Sequence, residues 1–166
     1  ILCEEGEVEY DPLVLKRART VCEIIENQED FTPENLLALE KKHKPERIII
    51  EWNGMWNFKE MRLPWHWAVE QQITTIDAST FQLYYMNMRS LLAEMIRKSE
   101  LIMFNRCDGM EEQLPGFKRN VKAVNQQAEI VFEDSEGEIN TLFEEDLPFD
   151  LNADVIALDD QAYGVW

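Results

Sequence analysis

Long apolar runs are missing from this chain: none approaches the roughly 18 residues needed to cross a membrane, and no basic leader precedes an apolar stretch. A transmembrane span and a signal peptide are thereby excluded. Cysteine is scarce. Cys3, Cys22 and Cys107 are odd in number, widely spaced and free of any CxxC pair, which argues against a disulfide framework or a structural zinc site and for reduced thiols in a cytoplasmic protein. Basic residues are also few, 16 Lys and Arg against 33 Asp and Glu, for a formal net charge of -17 and a pI near 4.4. Nucleic acid and anionic membrane surfaces are poor partners for such a chain, because both need a basic footprint to displace counterions. The basic clusters present, Lys16 to Arg19, Lys41 to Lys44 and Lys118-Arg119, fall on expected helices as solvated faces. No internal repeat or low-complexity tract occurs.

What remains is 166 residues, enough for one domain with a sizeable core. Ile1 to Cys3 has the look of a strand tail, and the acidic CEEGEVEYD after it that of a loop. Asp11-Pro12 opens a short helix, with Asp11 as N-cap and Pro12 at the first helical position. Thr20 to Ile25 is β-branched and short enough for a strand. Thr32-Pro33 begins a helix whose last turn is basic, complementing its dipole, and which Pro45 ends. Arg47 to Glu51 is the continuous apolar run of a strand buried on both faces. Asn53 to Trp67 loses the pattern and holds three of the five tryptophans, the mark of a long aromatic loop.

A strand at Gln71 to Ile76 ends at Asp77, which can cap the long helix behind it. Tyr84, Met88, Leu91, Leu92, Met95 and Ile96 lie on one face of that helix, a core stripe rather than a greasy partner site. Strand Leu101 to Phe104, a helix from Leu114-Pro115 with Phe117, Val121 and Val124 on one face, and strand Ala128 to Phe132 complete the pattern. Strands alternating with helices predict an α/β fold, a mostly parallel sheet with helices on both faces. In such sheets ligands bind at the carboxyl edge of the strands.

Two strands deliver polar clusters there. Asn105-Arg106-Cys107-Asp108 follows the first. A carboxylate fixed at a strand end accepts two N–H groups from one edge of guanine, which adenine does not offer, and a flat guanidinium can lie along a purine ring. The same residues also make ordinary Asx turns and helix caps. Glu51-Trp52-Asn53-Gly54 follows the second. A strand-end carboxylate can hold a magnesium ion through water, and a glycine three residues on lets a backbone N–H approach a terminal phosphate, although an acid before a turn is common.

Taken in chain order, Glu51 to Gly54 and then Asn105 to Asp108, the two elements resemble the third and fourth nucleotide-binding motifs of P-loop GTPases. The ExxG form resembles the CobW family of metallochaperone-like GTPases. Cys3 to Asp11 is similar to that family's NExGExxID segment, Thr74 to Ala78 to its VVDA strand end, and Ser99 to Asp108 to its NKxD passage. The resemblance runs collinearly from about Leu2 to Val131. It implies a P-loop NTPase-like fold binding GTP and magnesium, and hydrolysing GTP when complete. In that reading Glu51 and Gly54 sense magnesium and terminal phosphate, Asn105, Arg106 and Asp108 read guanine, and Glu4 and Glu7 lie toward magnesium or a cargo metal.

Three departures are visible. No GxxxxGK[ST] loop occurs, so the nest of N–H groups, the lysine and the hydroxyl that hold phosphate and magnesium are missing. In the family that loop lies upstream of the NExGE-like segment. The chain is therefore expected to be incomplete at its N-terminus, lacking a first strand, phosphate loop and first helix, and inactive as it stands. The family's CxCC motif is reduced to Cys22, and His43 and His66 have no companions in the sequence, which weakens a metal-cargo role. Arg106 replaces the usual lysine.

The expected organisation is a GTPase-like core over residues 1–133, an acidic linker or hairpin over 134–152 and an extra strand or the start of a further segment over 153–166. An alternative from another class is a nucleotide-free scaffold using the Trp-rich loop 52–67 to bind a protein partner, since exposed tryptophan clusters call for a cover. A hydrolase built on Glu51 and another acid has no His, Ser or Cys constellation to support it.

Overall fold

In the computed structural model of the chain, which describes residues 1–3, 10–134 and 137, the fold divides into two compact units with the boundary between Ala68 and Val69. The expected linker and final strand lie outside the described residues, Asp134 and Gly137 excepted. Every strand pairing that is described is parallel, so the α/β class with a mostly parallel sheet holds.

The first unit begins with β1 (Leu2–Cys3), which pairs in parallel with β2 (Ile24–Ile25). On its other side Leu2 bridges Glu51, with Glu51 N–H donating to Ile1 O and Cys3 N–H to Glu51 O. The strand expected over Arg47–Glu51 is thus reduced to this bridge, and Ile49 is 62% exposed rather than buried on both faces. The described contacts of this run with β1 are those of Ile1 with Ile49 and Glu51 and of Cys3 with Glu51.

Helix α1 (Pro12–Arg17) starts as expected, Asp11 Oδ1 accepting from Leu13 N–H at 2.7 Å. It ends in a Schellman pair, Arg19 N–H to Lys16 O and Thr20 N–H to Leu15 O, with Arg19 left-handed at φ 51°. That cap consumes Thr20, which is why the strand expected from Thr20 shrinks to Ile24–Ile25. Helix α2 (Pro33–His43) is capped by Thr32, whose hydroxyl accepts from Asn35 N–H, and closes on left-handed Lys44.

The long loop after Glu51 builds a core rather than a display. Trp52, Trp56, Met61, Leu63 and Trp67 pack on Cys3, Ile25, Phe31 and Leu36, with Trp52 edge-on to Phe31 and to Trp56. Glu40 of α2 accepts from Trp67 Nε1 at 3.1 Å and lies 3.2 Å from His66 Nε2, which fastens the loop to the helix. Trp65 alone of the loop's tryptophans is splayed out, at 92% exposure.

The second unit is a parallel sheet in the order β3 (Ile73–Asp77), β4 (Leu101–Asn105), β5 (Glu129–Phe132). Its register places Thr74, Ile102 and Ile130 in one row and Ile76, Phe104 and Phe132 in the next on the same face. On that face pack α3 (Ala78–Asn87), α4 (Arg89–Ile96) and α5 (Leu114–Lys122), through Phe81, Leu92, Ile96, Leu114, Phe117 and Val121. Phe104 stacks on Phe132 and Phe117 and meets Phe81 edge-on.

The single long helix expected after Asp77 is two. Met88, at φ -129° and ψ 33°, breaks it, beside Asn87, whose amide donates back to Leu83 O. The break turns the stripe: Tyr84 is exposed, while Phe81 and Tyr85 join Leu92, Met95 and Ile96 in the core. Asn125 then clasps the unit, its amide donating to Ile96 O and Ser99 O while its oxygen accepts from Ala128 N–H and Gln127 N–H. Among the described residues no helix is long and apolar enough to cross a membrane.

Candidate functional site

The strand β4 runs out into Asn105 and then turns sharply. Arg106 is left-handed at φ 55°, and the following four residues form a turn closed by Met110 N–H on Cys107 O, with Gly109 at φ 70°. A turn with positive φ at its third residue takes glycine without strain, so the Asp108-Gly109 pair shapes the loop. Backbone bonds fix both shoulders, Glu133 N–H to Phe104 O and Cys107 N–H to Glu133 O, tying the loop to the end of β5.

Four side chains of this loop have different surroundings. The Asn105 oxygen is buried with no hydrogen-bond partner among the described residues. A buried acceptor left unmatched is costly, so this atom calls for a donor. Arg106, its side chain 71% exposed, donates to Asp77 Oδ2 at 2.7 Å rather than lying free. Cys107 points inward, its thiol on Phe104 O and pushed up by burial to about 11. Asp108 is exposed on the turn.

Asp77 was expected only as a cap and does more. It accepts from Ser79 N–H at 2.9 Å and from the Ser79 hydroxyl, as a helix cap should, and also holds Arg106. The Ser79 hydroxyl, and next the Ser79 N–H and the guanidinium, keep its carboxyl below the usual range against the opposing effect of burial. Strand neighbours explain the meeting: Asp77 and Asn105 are partners across β3 and β4, which brings the residue after Asn105 within reach.

In the first unit Glu51 is exposed and its backbone is locked by the bridge to β1. Its Oε2 accepts from the Tyr10 hydroxyl at 2.6 Å. That bond, more than burial, pushes the Tyr10 phenol up to about 12. After Glu51 the chain turns: Trp56 N–H bonds Asn53 O, and Met55 N–H bonds the Asn53 side-chain oxygen at 2.7 Å, an Asx turn over Gly54. A Cβ on Gly54 would meet nothing within 4 Å, so packing inside the chain does not demand glycine there.

Glu4 and Glu7 lie outside the described residues. Among the described residues no three His, Cys, Asp or Glu groups gather to hold a metal. The two histidines do have companions: His43 with Lys42 on Glu23, and His66 on Glu40, each a hydrogen-bonded pair rather than a ligand set. Tyr10 was missed by sequence reading because its partner is 41 residues away and nothing local announces it. The D-G pair at Asp108-Gly109 was a usable turn signal for the loop.

A family model, the nucleotide-binding domain described as CobW/HypB/UreG, matches residues 13–132. The match spans well over half of the chain and takes in Glu51, Gly54, Asn105, Arg106 and Asp108, while Glu4 and Glu7 precede it. No curated protein and no solved structure matches. With its parallel β–α architecture and this match, the chain belongs to the CobW/HypB/UreG family and carries that family's P-loop-type nucleotide-binding domain.

Proposed function

We propose that the nucleotide is GTP, bound with magnesium and, when the domain is complete, hydrolysed by in-line attack of water on its terminal phosphate. The observation that carries this reading is the loop after β4. A buried, unmatched oxygen at Asn105, a flat cation at Arg106 and an exposed carboxylate at Asp108 stand within four residues on one strand end inside the family match. Asp108 would accept the two N–H groups of one guanine edge, Arg106 would leave or share Asp77 to lie on the purine, and Asn105 would take a donor.

Glu51 and Gly54 would serve the phosphate end. Magnesium, when bound, supplies positive charge to the phosphoryl oxygens as the bond to the leaving group breaks. Glu51, a carboxylate on a fixed backbone, suits a water-mediated contact to such an ion, and the open space at Gly54 suits close approach of a phosphate to backbone N–H. Glu4 and Glu7 are proposed toward the same ion or a cargo metal, which gives a metal-homeostasis role its only footing here. The cytoplasm is the proposed location, from the free thiols.

The scaffold alternative finds less support: three of the four tryptophans of loop 52–67 belong to a core, and Trp65 alone is left for a partner.

Calorimetry on the chain and on the full product of its gene tests the reading. The full product should bind GTP and not ATP, and the chain alone should bind GTP weakly or not at all. Asp108→Ala should weaken GTP by at least about tenfold, in line with the loss of hydrogen bonds to a charged group. Asp108→Asn replaces an acceptor by a donor, so it should lose GTP and gain XTP, whose base has a carbonyl where guanine has an amine. Tight GTP binding indifferent to both substitutions would sink the base assignment.

A further inference from the structure

We propose that Tyr10 is a positioning residue for Glu51. The proposal rests on the reading above, in which Glu51 acts at magnesium and the terminal phosphate. The Tyr10 Oη donates to Glu51 Oε2 at 2.6 Å, a short hydrogen bond.

Both ends of this bond are anchored, which separates it from a chance surface contact. Glu51 is held by backbone bonds to Ile1 and Cys3. Tyr10 immediately precedes Asp11, whose side chain caps α1 on Leu13 N–H at 2.7 Å. The phenol therefore spans from a fixed helix start to a fixed strand end.

The sequence around Tyr10 gives the bond its purpose. Glu4, Glu5, Glu7, Glu9 and Asp11 surround it in the stretch CEEGEVEYD, and Tyr10 alone there carries a side-chain hydroxyl. Tyr10 is the neutral donor that meets Glu51. An exposed glutamate in water samples several rotamers; tethering Oε2 confines it and directs the other oxygen.

Tyr10 touches neither nucleotide nor metal in this scheme and acts through Glu51. Hence Tyr10→Phe should leave GTP affinity without magnesium unchanged. It should raise the magnesium concentration giving half-maximal GTP binding by about threefold to tenfold, the range for losing a hydrogen bond to a charged group at a half-exposed site. Glu51→Gln should raise it more, and the double variant should be no worse than Glu51→Gln alone.

A second measurement reads the contact directly. The carboxyl carbon of Glu51 in a 13C NMR spectrum, assigned by its loss in Glu51→Gln, should move in Tyr10→Phe and stay in the control Tyr84→Phe. A carboxyl signal that does not move overturns the proposal, even where Glu51→Gln alters the magnesium requirement. Effects of Tyr10→Phe and Glu51→Gln that multiply also overturn it, since Tyr10 would then act by another route. If the signal moves but Glu51→Gln leaves the magnesium requirement unchanged, or no magnesium-dependent GTP binding exists, the role assigned to Glu51 fails and the positioning role falls with it, the contact itself surviving.

Discussion

Replacing Asp77 by alanine should destabilise the second unit by about 1–2 kcal/mol at neutral pH, and by less in acid. The number has two parts. Asp77 is the N-cap of α3 through Ser79 N–H at 2.9 Å, and a cap of this kind is worth about 1 kcal/mol. Its second oxygen holds Arg106 at 2.7 Å, but the guanidinium side chain is 71% exposed, so the pair adds only a few tenths up to about 1 kcal/mol. The cap should therefore dominate, and Arg106→Ala should cost less than half of what Asp77→Ala costs.

The pH dependence follows from the depressed carboxyl of Asp77. A group whose pKa is lower folded than unfolded stabilises fully above its unfolded value, about 3.9 for aspartate, and loses that contribution as pH falls through the folded value. Urea unfolding of wild type and Asp77→Ala at pH 7 should thus differ by the full amount, and the difference should narrow as pH falls through the folded value, leaving the part that a protonated carboxyl still caps. Asp77→Asn is the intermediate case: its amide oxygen can still cap Ser79, but the charge toward Arg106 is gone. A difference between wild type and Asp77→Ala that persists undiminished into acid would refute the claim that the anion is what stabilises.

Three other outcomes are expected. With iodoacetamide at pH 8 under native conditions, Cys22 should alkylate first, because Cys3 and Cys107 are buried and burial pushes both thiols up to about 11; mass spectrometry of the labelled peptides reads it. Asn125→Ala should cost about 1–3 kcal/mol in urea unfolding, since Ala128 N–H loses its acceptor while Ile96 O and Ser99 O each lose a donor. Glu129→Gln should stabilise at pH 7 and not at pH 4. Burial raises the Glu129 carboxyl, so the favourable neutral form is complete only below the unfolded pKa and is lost as pH rises through the folded one, a loss glutamine does not suffer.

The second unit was largely legible in the sequence because its signals are local. Ile102, Phe104, Ile130 and Phe132 alternate along strands, Asp77 announces a helix, and Phe117 and Val121 repeat at helical spacing. The first unit was less so. Arg47–Glu51 has the composition of a buried strand, but a strand forms only where a partner pairs with it, which composition does not announce, and among the described residues only Glu51 of this run bridges β1. The tryptophans after Glu51 suggested display because no periodicity marks a loop that folds into its own core; their burial comes from Phe31 and Leu36, some twenty residues back in the chain. At the site, the order of polar residues after β4 was readable, whereas the Asp77 grip on Arg106 depends on strand register and the Tyr10 grip on Glu51 on tertiary contact.

Those two grips, one in each unit, share a form. In each, a residue proposed to meet nucleotide or metal is already engaged by a neighbour: Arg106 by the carboxylate of Asp77, Glu51 by the phenol of Tyr10. They differ in sign of effect. Asp77 competes with a purine for the guanidinium, so releasing or sharing Arg106 costs part of an ion pair and lowers affinity, though an exposed pair sets that cost low. Tyr10 takes one oxygen of Glu51 and competes with nothing that needs the other, so it confines the carboxylate without a charge to displace. Weakening the first grip should therefore tighten nucleotide, and weakening the second should raise the magnesium concentration that nucleotide binding needs. Asp77→Asn and Tyr10→Phe are the two substitutions that separate these directions, one reading on base affinity and one on metal requirement.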